Sequence, residues 1–519
     1  MKTGDYRRDY AAYSAALERA RYDHHTGREP RLRLAPLRDR YADLWTRDAI
    51  EDLRRAREET PGQFQTERAA LTTLLRAAES GYVEARAADV TAELTSCEAS
   101  PRVEWEGARV SVVKAHAAIA SETDPARRRE LSARWLNALG QCSDLRAARF
   151  EALREGARSI GHDSYFALAS GITEAVAESL DAGARVFLEQ SAHVYAAKLF
   201  EWSARHLPDA SARTLVYADS LFFARLTHLD KFFPASELRA TYEETLTGLG
   251  IRVARQANVR IETSAGGGVA ACAGCFAVRP PEDVRFVYQN EGGASYYRKF
   301  LETAGRVQHF AWASHELAAR YPEFVHAPED TTRAGFAFLF GDLLYDASWL
   351  AAHRNVRPSE ASEIARAGAL VELHRTRLAC VRLQQQHALE TATDVRSEHL
   401  AETYAASLSE TTNFDAHPSL FLRDLVPPGF GEEGGECASS PSSPGVYLRA
   451  RLFAAALGEY LRTRHGHRWW SNNKAADELI DVWNTASRYT VEELAALAGL
   501  GAPSFDLLAD SFNSVLTRE

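Results

Sequence analysis

Residues 286 to 317, FVYQNEGGASYYRKFLETAGRVQHFAWASHEL, constrain the fold more than any other stretch. A strand-like run ends at Gly292-Gly293. The helical pattern that follows puts Phe300, Ala304, Val307 and Ala311 on one side and Glu302, Arg306 and His309 near another. Just upstream, Arg252 to Glu262, Cys275 to Val278 and Val284 to Tyr288 are short alternating or β-branched runs separated by SAGGGVAACAG and RPPED. They read as a small sheet, spanning 251–290 with its turns, set beside a helix at 293–319.

Helical spacing dominates elsewhere. From Tyr6 to about His206 apolar residues recur at intervals of three and four, broken at Gly27 to Pro36, Pro61-Gly62, Pro101, Gly156 to Asp163 and Leu207-Pro208-Asp209. Residues 211–250 continue as helix. One helix is expected from about Thr332 to His353 and a long one from Pro358 to about Glu390. Val426 to Gly445, VPPGFGEEGGECASSPSSPG, reads as loop, and closing helices occupy 446–500. No fixed-period repeat is present, which disfavours a solenoid. The expected architecture is mainly α, with an N-terminal helical lobe at 1–210 and a second lobe at 211–519 around a channel.

A net charge of -10 argues against general affinity for nucleic acid or anionic membrane. The six cysteines are too sparse for a disulfide framework and suggest a reduced, cytoplasmic setting. The N-terminus shows no apolar h-region and no later stretch is long and apolar enough to span a bilayer, so neither secretion nor membrane insertion is expected.

The short strands, the Gly-Gly turn, His309-Phe310 four residues past Gly305, and the helix Tyr447-Leu448-Arg449-Ala450 together resemble the thimet oligopeptidase and oligoendopeptidase F family of gluzincin zinc peptidases. The resemblance is clearest over about 216–500. In that family the helix reads His-Glu-x-Gly-His followed by x-x-His. Here it reads Glu302-Thr303-Ala304-Gly305-Arg306 followed by Val307-Gln308-His309. The family's third ligand, a glutamate on the next helix, aligns with Ala334 in Ala334-Gly335-Phe336-Ala337-Phe338-Leu339-Phe340. Gly305 and His309 match; the ligand and base positions do not.

Two histidines at i and i+4 with a carboxylate from a second helix hold zinc, and the glutamate takes a proton from the bound water. Arginine is a permanent cation without an acceptor, and alanine has no donor atom. Glu302, Thr303, Arg306 and Ala334 thus imply a degenerate member, without zinc or other cofactor and inactive as a peptidase. An i,i+4 ion pair between Glu302 and Arg306 is expected to fill the metal space. Alternatively, Arg306 receives a ligand carboxylate or carbonyl. His309 reads as a packed core histidine or a retained acid or base, and Tyr447 as a helix-start hydrogen bonder or the family's ligand-gripping tyrosine.

Weaker features have plain readings. Cys272-Ala273-Gly274-Cys275 is a single Cys-x-x-Cys without zinc-knuckle or thioredoxin context, read as two buried thiols. His24-His25 reads as a polar turn, and Gly266-Gly267-Gly268 as a turn lacking phosphate-loop context. The functional expectation is a pseudopeptidase that binds a peptide or small carboxylate through Glu302, Arg306, His309 and Tyr447, or serves as a scaffold for a protein partner. Two alternatives are a repurposed enzyme using those four groups without metal, and an active zinc peptidase. The latter finds no His-Glu-x-x-His anywhere in the chain. Oligomeric state is left open.

Overall fold

The computed structural model describes residues 2–100, 102–207, 214–264, 272–426 and 443–517. The chain is mainly α-helical, with one small sheet against the central helix Ala294–Ala311, as the residue pattern implied. The turn tract 266–268, Cys437 and most of the Gly/Ser/Pro-rich tract lie outside the described residues.

The N-terminal helices are interrupted by a hairpin that helical periodicity concealed: β1 (Val103–Trp105) pairs antiparallel with β2 (Ala108–Val110). Glu106 and Gly107 both take positive φ, 51° and 77°, the backbone that a tight two-residue hairpin turn demands. The small sheet comprises β3 (Val259–Thr263), β4 (Gly274–Arg279) and β5 (Asp283–Tyr288) in the order β3-β5-β4. β3 runs parallel to β5 and β4 antiparallel to it. β5 is buried along its whole length, so its side chains pack on both faces.

Two features depart from the residue pattern. The single helix expected over Thr332 to His353 is three pieces: Thr331–Gly341, a 3-10 turn Asp342–Tyr345, and Ala347–His353. Asp346 forces the last break by accepting from the amides of Ser348 and Trp349, a cap that starts a new helix. The reduced setting suggested by sparse cysteines meets one exception: Cys97, in the helix Ala88–Ala99, and Cys142, just before the helix Ser143–Ser159, are joined by a disulfide. Cys272, Cys275 and Cys380 are free.

The two large apolar cores do not part at residues 210/211. Leu180, Phe187, Tyr195 and Trp202 of the helix Glu174–His206 pack with the central and closing helices. Leu389, Tyr404 and Phe421 pack instead with Leu74, Trp135 and Phe150 of the N-terminal helices. The cause is the helix Pro358–Thr391, whose 34 residues span about 50 Å and thread both cores, with Leu370 and Leu373 in one and Val381 and Leu389 in the other.

Three helices set the centre: Ala294–Ala311, Thr331–Gly341, and Pro444–His465. The first starts where Gly293 takes φ 100° and Asp230 accepts from the Ala294 amide at 3.1 Å, a cap supplied from outside the helix. Glycine then permits close crossing. A Cβ on Gly305 would lie 2.4 Å from the Phe336 carbonyl oxygen, and one on Gly335 would lie 2.5 Å from the Phe453 ring. Gly305→Ala is therefore expected to push two backbones apart and cost about 2–3 kcal/mol, in the upper range for overpacking, read as a lowered urea midpoint at unchanged m-value.

Candidate functional site

The central helix is buried on every side: from Tyr296 to Ala311 only Lys299 is not fully enclosed. It still carries Arg298, Glu302, Thr303, Arg306, Gln308 and His309, and polar groups without water must find partners in the protein. Gln308 does so through Tyr242 at 3.1 Å and through Gln256 and Trp312, at 2.9 and 3.0 Å.

Glu302 and Arg306 do not pair with each other. Glu302 faces a buried ion cluster, where Arg298 Nη2 stands 2.7 Å from Glu302 Oε1 and 2.6 Å from Glu372 Oε2. Arg375 meets the other Glu372 oxygen at 2.6 Å, and Arg451 binds Asp342 at 2.8 Å. Three guanidiniums thus balance three carboxylates. Burial nonetheless pushes the Glu302 carboxyl upward against the pull of Arg298, whereas three arginines overcome burial to hold Glu372 low. A Cβ on Gly341 would lie 2.7 Å from Glu302 Cγ, so the carboxylate is wedged in place.

Arg306 turns the other way. Its Nη1 sits 2.6 Å from Asp330 Oδ2, and Arg333 Nε donates to Asp330 Oδ1 at 2.7 Å. Burial disfavours both charges, but the pairing prevails: the Arg306 guanidinium is held charged and the Asp330 carboxyl is held below its ordinary range. The expected i,i+4 partner was wrong because Asp330, one turn before Ala334 on the crossing helix, reaches Arg306 across the Gly305 contact.

The other candidates scatter. His309 stacks on Phe336 at 5.2 Å, its Nδ1 has no hydrogen-bond partner, and burial pushes its imidazole down to about 3. It is a neutral, packed ring. Ala334 is fully buried against Phe338, Ala450 and Ala454. Tyr447 lies edge-on to Phe338 at 5.2 Å, beside the Glu372 cluster. Glu302, Arg306, His309 and Tyr447 therefore do not converge on one open space.

A cavity of about 410 Å³ does open on the Thr303, Arg306 and Phe310 face of the helix. Its far walls come from the helices Thr3–His25 and Gln65–Arg86, and β4 and the segment 325–333 complete it. Val446 lines it where Tyr447 does not. Cys272 and Cys275 also line it; burial pushes the Cys275 thiol upward, so it is no ready nucleophile. His24-His25 is not a polar turn: the pair ends the N-terminal helix and faces the cavity, with His25 against Phe276 at 5.2 Å.

The N-terminal helix is strapped over this space at both ends. Arg7 Nε donates to Glu323 Oε1 at 2.8 Å and the Tyr10 hydroxyl to the His326 carbonyl at 2.5 Å. At the other end the Tyr22 hydroxyl donates to Glu262 at 2.6 Å, and Arg285 lies 4.3 Å from the Tyr22 ring centre. Sequence reading missed this cover, since only the Tyr6, Tyr10 and Tyr22 positions hinted at a buried face.

Arg306, Glu302 and Ala334 do not fit a zinc ion, because a cation and a methyl group supply no ligand. Among the described residues no group of three His, Cys, Asp or Glu side chains could hold a metal, and no helix is long and apolar enough to cross a membrane.

No family model matches the chain, and no curated protein matches it. Solved structures do. Metallocarboxypeptidase 1 of Trypanosoma cruzi aligns with TM-score 0.62 at 14% identity over 99% of each chain. The carboxypeptidase of Pyrococcus furiosus aligns with TM-score 0.58 at 13% identity, over 98% of this chain and 97% of that one. The M32 carboxypeptidase of Deinococcus radiodurans R1 aligns with TM-score 0.56 at 12% identity, over 99% of this chain and 98% of its own. At such identities the likeness is one of fold, and the fold is metallopeptidase-like.

Arg306→Met leaves Asp330 paired with Arg333. The expected loss is about 3 kcal/mol, at the low end for a broken buried pair, because Asp330 stays paired and partly exposed; chemical denaturation measures it. Burial pushes the Glu323 carboxyl up to about 7 despite Arg7. The unfolded chain loses that proton near the ordinary value of 4.5, so the folded state binds more protons between 4.5 and 7 and stability falls as pH rises through that window. Glu323→Gln is expected to flatten this limb in urea midpoints taken from pH 4.5 to 8.

Proposed function

We propose that this chain is a degenerate, non-hydrolytic relative of the thimet oligopeptidase and oligoendopeptidase F group that binds a peptide or small carboxylate in the cavity beside Arg306. One observation carries the reading: at the second zinc-histidine position stands a guanidinium locked onto Asp330 at 2.6 Å. A fixed cation there repels a metal ion and leaves no acceptor to hold one.

The surrounding space supports retention of binding without hydrolysis. A cavity of about 410 Å³ whose walls carry aromatic rings and both arginine and carboxylate side chains is of the size of small-ligand sites. Thr303, at the position of the general base, donates to the Lys299 carbonyl at 2.8 Å and has no carboxylate to take a proton from water. The repurposed-enzyme alternative needs Glu302, Arg306, His309 and Tyr447 to act together, and their divergence weighs against it. A scaffold role for a protein partner is compatible with the same cavity. The cytoplasmic setting belongs to this reading; the Cys97–Cys142 bridge is the one feature that argues for a more oxidising compartment.

Metal analysis after dialysis against zinc is expected to give far less than one zinc per chain, and a quenched-peptide library is expected to remain uncut with or without added zinc. Stoichiometric zinc in the wild-type protein, or chelator-sensitive cleavage, would overturn the proposal.

A further inference from the structure

Five guanidiniums line the cavity: Arg21, Arg38, Arg76, Arg306 and Arg333. Four are engaged by the protein. Arg306 and Arg333 share Asp330, and Arg333 also donates to the carbonyls of Ala327 and Glu329 at 2.9 and 3.0 Å. Arg21 binds Glu18 at 2.8 Å, and Arg38 hydrogen-bonds the Tyr13 hydroxyl.

Arg76 differs. It makes no hydrogen bond among the described residues, and its one ion contact is 3.8 Å to Glu329 Oε2. The other Glu329 oxygen, Oε1, is held by Arg449 at 2.7 Å. The Arg76 side chain is only 33% exposed, so two-thirds of its surface has left water while its donors stay unpaired by protein. A partly desolvated guanidinium fork with open donors suits a planar carboxylate, which it can grip through two parallel hydrogen bonds.

The wall beside it is aromatic. Gly81 lies on the same helix, about 7 Å further along its axis. A Cβ there would fall 2.0 Å from Trp45 Cε3, so the Trp45 ring rests directly on bare backbone. Tyr13 meets that ring edge-on at 5.0 Å. Around this wall stand Glu18, Glu84 and Glu329, which would repel a doubly charged phosphate more strongly than a single carboxylate.

We propose that Arg76 is the carboxylate anchor of the cavity, and that the ligand is a monocarboxylate whose aromatic body lies against Trp45 and Tyr13. This rests on the reading of the cavity as a carboxylate site and moves the charge recognition from Arg306, which is spent on Asp330, to the opposite wall.

The test uses the full chain, isothermal titration calorimetry, and two probes: N-benzoyl-phenylalanine and its carboxamide. Wild type is expected to bind the acid at least about tenfold more tightly than the amide, the size of one charge-assisted hydrogen bond. Arg76→Gln is expected to bind both probes at the wild-type amide's affinity with an unchanged melting temperature, Arg76→Lys to keep part of the preference, and Trp45→Ala to weaken acid and amide alike. Undiminished acid preference in Arg76→Gln overturns the anchor. If that preference disappears in Arg306→Gln instead, the carboxylate site stands and the role of Arg76 falls. If wild type binds neither probe, both readings fall.

Discussion

The structure depends on a contact between two backbones. At Gly305 the central helix meets the Phe336 carbonyl so closely that a methyl group would lie 2.4 Å from it. Such an approach is open only to glycine. It allows Thr331–Gly341 to fit between the central helix and Pro444–His465, and it brings Asp330 within reach of Arg306. The central helix is consequently enclosed on all sides, and everything polar on it must be answered from within.

That requirement splits the polar residues into two sets. Arg298 and Glu302 join Glu372, Arg375, Arg451 and Asp342 in a balanced ion cluster on one side. Thr303 and Arg306 face the cavity on the other. His309 stays in an aromatic layer where burial keeps it neutral. A catalytic constellation needs its groups aimed at one reacting atom. Here Glu302, Arg306 and His309 are aimed at different neighbours, which supports the proposed binding role over catalysis by these groups acting together.

The parts of this design that are local were readable from residues. Gly292-Gly293 marked the start of the central helix, the β-branched runs marked the sheet, and the uninterrupted pattern from Pro358 marked a helix that ends at Thr391. The parts that misled were those in which a partner distant in sequence outbid a near one. Glu302 and Arg306 have good i,i+4 spacing, worth only a few tenths of a kcal/mol, and each found a stronger buried partner elsewhere. The hairpin at Glu106-Gly107 was hidden because three-residue strands are too short to alter the periodicity around them. The N-terminal cover was hidden because a strap is defined by what it crosses.

The sequence alone determined that the chain is a mainly α-helical protein with a small sheet before one organising helix, and that this helix carries Glu302 and Arg306 at i,i+4 spacing. Those facts follow from side-chain chemistry and short-range spacing. Tertiary structure alone decided that Arg306 pairs with Asp330, that Glu302 turns away into an ion cluster, and that Arg76 from a helix over 200 residues upstream faces the same cavity. Long-range packing chooses among partners of equal chemistry by which of them the backbone can bring to hydrogen-bonding distance, and that choice is not written in spacing.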